Sequence, residues 1–241
     1  MQLKRLLKNT AVVITSLVRY NLSIIFAGKF IYFLIAALAI FLFVTGSQLF
    51  SADSMPSEAT VFRLLLVPGL LLIFYPVTFG IQNDVDSRMI EILFGIPNYR
   101  YKVWMVRLLL IFAMTGAILL VLAFLSSVAL ITVPLFEMLF QLLFPVVFLG
   151  CLAFMVSTVV RNGSGTAVVM VIIGMVFLLG TEFFENYPKW NIFLNPFDLP
   201  QDMNEVVWAA IVVDNRIFLF AGTVIALLYG LLSLQKREKF L

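Results

Sequence analysis

Groups able to do covalent or acid–base chemistry are scarce in this chain. It contains no histidine, so the commonest general base, the imidazole metal ligand and the zinc-protease motif are all missing. Its one cysteine, Cys151, lies inside an apolar run, where it can build neither a disulfide framework nor a Cys-rich metal site within one chain. No GxxxxGK[ST] phosphate loop occurs: the Gly163-Ser164-Gly165-Thr166 turn lacks the lysine, and Gly28-Lys29 lacks the upstream glycine. The former reads instead as a tight turn after Arg161. Catalysis by this chain alone is not expected, and neither is a cofactor or metal site within it.

Recognition chemistry is concentrated between residues 83 and 107. Val85, Met89, Ile92, Leu93 and Ile96 fall on one helical face, and Asp84, Ser87, Arg88 and Glu91 fall on the other. The spacing predicts a short amphipathic helix. Asn83 is the expected N-cap, Asp84 and Asp86 sit in the first turn where the helix dipole favours acids, and Gly95 with Pro97 ends the run. Such a helix suits docking into a partner's groove; the competing reading is an ordinary solvated loop.

The elements that must position this segment are membrane helices. Of 241 residues, 63% are hydrophobic and 12% charged, against roughly 45–50% and 25% in globular domains. Stretches without Asp, Glu, Lys or Arg occur at 30–50, 64–83, 108–136, 138–160, 162–181 and 217–235, each about the length a helix needs to cross the hydrocarbon core. The third is taken to end near 133, because Pro134 and Glu137 mark a very tight turn. The expected fold is therefore an all-α integral membrane protein, a single domain over 1–241 with six transmembrane helices. Six crossings put both termini on one side. Thirteen of the sixteen lysines and arginines then fall on the terminal side, while nine of the thirteen acids fall on the other. Because cytoplasmic flanks are enriched in Lys and Arg, both termini are expected in the cytoplasm, with the chain multi-pass in the cell (inner or plasma) membrane.

Two further segments are not spans. Residues 3–20 carry Leu3, Leu6, Leu7, Ile14, Leu17 and Val18 at helical spacing, with Lys4, Arg5, Lys8 and Arg19 as a cationic face. They read as an amphipathic helix on the inner membrane surface or, equally, as a positive-inside anchor. Residues 182–216 form the one sizeable external segment. It is rich in interfacial aromatics and broken by Pro188, Asn195-Pro196 and Pro200. Within it 206–213 is too short to cross and is expected to dip into the outer leaflet, with Asp198 able to cap a short helix.

With the spans laid out, the second-to-third connection resembles that of type-2 ABC exporter permeases. Their signature runs acid, short helix, Glu, Leu, then Pro, Arg and a basic residue ten after the Pro. Here it reads Asp84, Glu91, Leu93, Pro97, Arg100 and Arg107 in that register, with Ser87-Arg88 where the family often has Gly-Thr and Val106 where it often has Gly. The N-terminal amphipathic elbow helix, six spans, short third-to-fourth turn and Asn195-Pro196-Phe197 element are similar too. The resemblance implies that 84–97 is the coupling helix, with Asp84, Asp86, Arg88, Met89, Glu91, Leu93, Pro97 and Arg100 docking on a cytoplasmic ATP-binding subunit. It also implies ATP and Mg on that partner, a second permease copy or homologue enclosing the route, and short outer-leaflet helices between spans five and six. Asn195, Pro196 and Phe197 are then the outer-gate candidates. No nucleic acid is implied.

An ion-coupled transporter is disfavoured because all six stretches lack ionisable groups, which normally relay the coupling ion. An accessory or anchoring membrane subunit of another complex, or an oligomeric channel, is the alternative. Phe-, Leu- and small-residue-rich spans suit a lipid-like or amphipathic substrate. Thr45, Gln48, Thr78, Gln82, Thr115, Gln141 and Thr181 either line a path or hydrogen-bond between helices. Ala36, Ala37, Ala39 and Gly174 are expected close-contact points with a second copy.

Overall fold

The computed structural model describes residues 29–50, 55–86 and 100–234, and within them the chain is helical with no strand. The elements are α1 (Phe30–Phe50), α2 (Glu58–Thr78), α3 (Gly80–Asp86), a π-helical turn (Arg100–Met105), α4 (Val106–Ala129), α5 (Leu135–Val160), α6 (Gly163–Leu179), α7 (Thr181–Asn186), a 3-10 turn (Pro188–Trp190) and α8 (Glu205–Ser233). The expected elbow at 3–20 lies outside the described residues.

Local chemistry sets the ends of these helices. Ser57 opens α2 with a capping box, its hydroxyl accepting from Thr60 N while Thr60 Oγ1 accepts from Ser57 N. Asn162 and Asn204 cap α6 and α8 through their side-chain oxygens. Arg161 closes α5 in the left-handed region at φ 57°, so that α5 and α6 are joined by only two residues. Pro68 and Pro76 lie inside α2 without ending it. Just past them Phe79 stays in the right-handed region at φ −100°, ψ −7°; its N–H reaches Tyr75 O and its carbonyl accepts from Asn83 N. α3 therefore continues α2, which overturns the expected start of a new helix at Asn83: that residue is in mid-helix, its N–H already used.

α2 and α5 form the centre of the bundle. α1 lies on α2; α4 bridges α2 and α5; α8 runs along the far side of α5; α6 leans on α5 and α2. Because lipid tails are as apolar as leucine, burial alone does not hold such a bundle together; close approach and interhelical hydrogen bonds do. Gly230 illustrates the first, since a Cβ there would lie 2.7 Å from the Phe154 ring and force α8 off α5. Gln82 Oε1, accepting from Gly163 N at 2.6 Å, and Ser157 Oγ, donating to Thr78 O at 3.2 Å, illustrate the second. The outward faces are aliphatic and aromatic, as with Leu42 and Phe43 on α1 and Phe220, Ile225 and Leu228 on α8.

Five stretches are long and apolar enough to cross a membrane: α1, α2 with its α3 extension, α4, α5 and α8. α6, the expected fifth span, has 17 residues and reaches only about 25 Å at 1.5 Å per residue. The tight third-to-fourth turn is present at 130–134. Residues 206–213 do not form a separate dipping helix. They are the first turns of α8, which runs unbroken through Asp214 and Arg216 because Arg216 finds acceptors inside the bundle. Asn204, not Asp198, supplies the cap in this region.

Candidate functional site

Where α3 and α4 flank the connection 87–99, Asp84 and Arg107 meet. Arg107 Nη1 donates to Asp84 Oδ2 at 2.8 Å, and each side chain is only 5% exposed. The π-helical turn before α4 presents Trp104 beside the pair, its ring 4.6 Å from the Arg107 guanidinium carbon. Widened turns of this kind recur at functional sites because they reset the register of the side chains that follow. Trp104 in turn packs against Phe154 of α5, 6.0 Å between centroids, and Phe154 receives Gly230 of α8. The two stems of the connection are thus joined by a buried ion pair and rooted through one aromatic chain into α5 and α8. Shifting one stem alone would break this buried ion pair, which is unfavourable.

Of the expected docking residues, Asp84 lies in this cluster, Asp86 ends α3 and Arg100 begins the π-helical turn. Arg88, Met89, Glu91, Leu93 and Pro97 lie outside the described residues. Sequence reasoning placed Asp84 and Arg107 at the two ends of one motif without pairing them, and it missed Trp104. The available signal was a pair of opposite charges bracketing a single connection.

At the opposite end of the bundle, the Asn195-Pro196-Phe197 element is a clasp. Asn195 is buried; its Nδ2 donates to Ala59 O at 3.0 Å while its Oδ1 accepts from Phe197 N at 3.1 Å. Phe197 packs on Phe62, and Pro196 O accepts from Trp208 Nε1 at 2.9 Å. Asp198 forms an ion pair with Arg63 of α2. The three outer-gate candidates therefore tie the 187–204 segment to the starts of both α2 and α8.

Nearby, Arg216 is buried at 7% exposure with Nε on Gln141 Oε1, Nη1 on Asn215 Oδ1 and Nη2 on Leu194 O. Asn215 Nδ2 donates to the carbonyls of Lys189 and Asn191. Gln141 and Gln82 are thus interhelical hydrogen-bonding groups, the second of the two roles open to them in the sequence. Among the described residues no group of three or more metal-ligating side chains occurs. No family model matches this chain, and neither a curated protein nor a solved structure matches it.

Proposed function

We propose that this chain is the membrane subunit of an ATP-driven exporter of the type-2 ABC class, moving a lipid-like or amphipathic substrate outward with ATP hydrolysed on a separate cytoplasmic subunit. The observation that supports the reading best is the buried Asp84–Arg107 pair. It stiffens the base of the very connection whose sequence resembles a coupling helix, so that a push on 87–99 reaches α2 and α4 together. Rigid, packed elements carry coupling better than loops do. In this reading α6 is the fifth of six spans, both termini and the Asp84 end face the cytoplasm, and two permease domains enclose the route. Ala37 is not available to the second copy, being packed inside its own chain, whereas Ala39 is exposed; Gly174 faces an apolar cavity of its own chain.

Affinity purification from the native membrane tests this directly. The expected result is co-purification of an ATP-binding subunit whose hydrolysis is lost when Glu91 is changed to Lys. That substitution keeps helix propensity while reversing a charge on the polar face. Met89→Asp, which puts a charge on the apolar stripe, should weaken docking itself. Recovery of the chain with no ATPase, or full coupled turnover in both variants, defeats the proposal.

A further inference from the structure

Two cavities on the Asn195 side of the bundle share a wall. The larger, about 800 Å³, lies among α2, α6, α7, α8 and the 187–204 segment, with Arg63, Asp198 and Asp202 at its rim and Phe177, Phe184 and Trp208 in its wall. The smaller, about 130 Å³, is almost wholly apolar and lies deeper, between Leu70 and Phe74 of α2, Leu149 of α5, and Met170 and Gly174 of α6. Phe193 lines both.

Helical spacing aligns the two. On α2, Arg63, Leu70 and Phe74 are seven and four residues apart and so share a face. On α6, Met170, Gly174 and Phe177 do the same. Along α2 the rim at Arg63 lies about 10 Å from Leu70 and about 16 Å from Phe74, at 1.5 Å per residue. A polar and aromatic cavity next to an apolar one matches an amphiphile with one chain. The apolar cavity is small, at about 130 Å³.

The mouth also specifies a headgroup. Arg63 is taken up by Asp198, which leaves Asp202 as the second carboxylate among the described wall residues and makes the rim net acidic. Lys189 lies over Trp190, which is not part of the wall. Phe177 and Phe184 are stacked, centroids 4.9 Å apart, with the Phe193 edge on Phe177 at 6.5 Å. Aromatic rings and a carboxylate lining one cavity attract a quaternary or primary ammonium, whose charge the ring quadrupole and the acid both favour. We propose that this pair of cavities is a binding site for a single-chain amphiphile with an ammonium headgroup, the head between Asp202 and the aromatic wall and the tail past Phe193 against Gly174. The inference rests on the exporter reading only in making this molecule a substrate; the site itself needs no ATPase.

The test uses the full chain alone in digitonin, whose uncharged sterol-like molecule lacks a simple alkyl tail. The probe is dodecyltrimethylammonium carrying a diazirine at the end of its tail. After illumination, adducts are expected on the segments holding Leu70, Phe74, Met170 or Val171. Plain dodecyltrimethylammonium should displace the probe about tenfold better than dodecyl sulfate does, and Asp202→Asn should remove that preference, a change equivalent to one contact of roughly 1.4 kcal/mol. Gly174→Leu fills the deep cavity, and because a Cβ there meets nothing within 4 Å the chain should keep its thermal transition. In that variant the adducts should vanish. Adducts confined to lipid-facing Phe220 and Ile225, equal displacement by the sulfate, or unchanged adducts in Gly174→Leu would each overturn the site. Because no nucleotide or partner is present, these outcomes are independent of whether an ATP-binding subunit is found.

Discussion

Asp84 and Arg107 stand 23 residues apart in sequence and 2.8 Å apart in the fold. Removing one partner breaks a buried ion pair, so Arg107→Gln should destabilise the solubilised protein by about 3 kcal/mol. Combining it with Asp84→Asn should recover much of that loss, because two neutral amides can satisfy one another. A melting series of the four proteins measures the coupling, and additive losses would show that the pair contributes nothing specific. The sequence makes both residues conspicuous but not their contact, since the two lie on different helices and meet only once those helices pack. Arg216 was obscured for the opposite reason. A charge at the edge of an apolar run reads as a boundary, and nothing in the local sequence reveals that Gln141, 75 residues earlier, will accept its Nε.

At the scale of elements, five of the six expected spans were legible as long apolar helices, because unbroken apolar runs of bilayer length have few other uses. Their joints were less so. The short turn at 130–134 follows from Pro134, and the turn after Arg161 follows from its asparagine and glycines, but the continuation of α2 into α3 does not, because Asn83 has the composition of a cap and is overridden by helical hydrogen bonding from Phe79. Packing is also invisible in composition. Gly163 and Gly230 look alike in sequence, yet one lets the start of α6 approach Phe79 and Gln82, and the other seats α8 on Phe154. Gly230→Leu should therefore separate α8 from α5 and lower the melting temperature by several degrees, whereas Gly174→Leu should not. Equal melting of the two variants would show that the α5–α8 contact tolerates separation.

For the molecule as a whole, the uneven distribution of lysine and arginine predicts which end faces the cytoplasm, and the fold indicates where to probe it. Asn195 is an unsuitable reporter because it is buried on Ala59. Gln201 and Ser164 are exposed at opposite ends of the bundle. A cysteine at Gln201 should react with a membrane-impermeant maleimide in intact cells and one at Ser164 only after lysis; the reverse pattern would invert the layout. The helices on which that layout rests differ greatly in length. α8 has 29 residues and α6 has 17, or about 43 Å against 25 Å, around a hydrocarbon core of roughly 30 Å. Past Asp214 and Arg216 the uninterrupted apolar part of α8, 217–233, is also about 25 Å long, so in the six-span reading both helices fall short of the core and the bilayer pinches beside them. The smaller cavity is lined in part by Met170, Val171 and Gly174 of α6, so in that reading it lies on a pinched side. Thermal stability should accordingly rise in shorter-chain phospholipid and fall in longer-chain phospholipid.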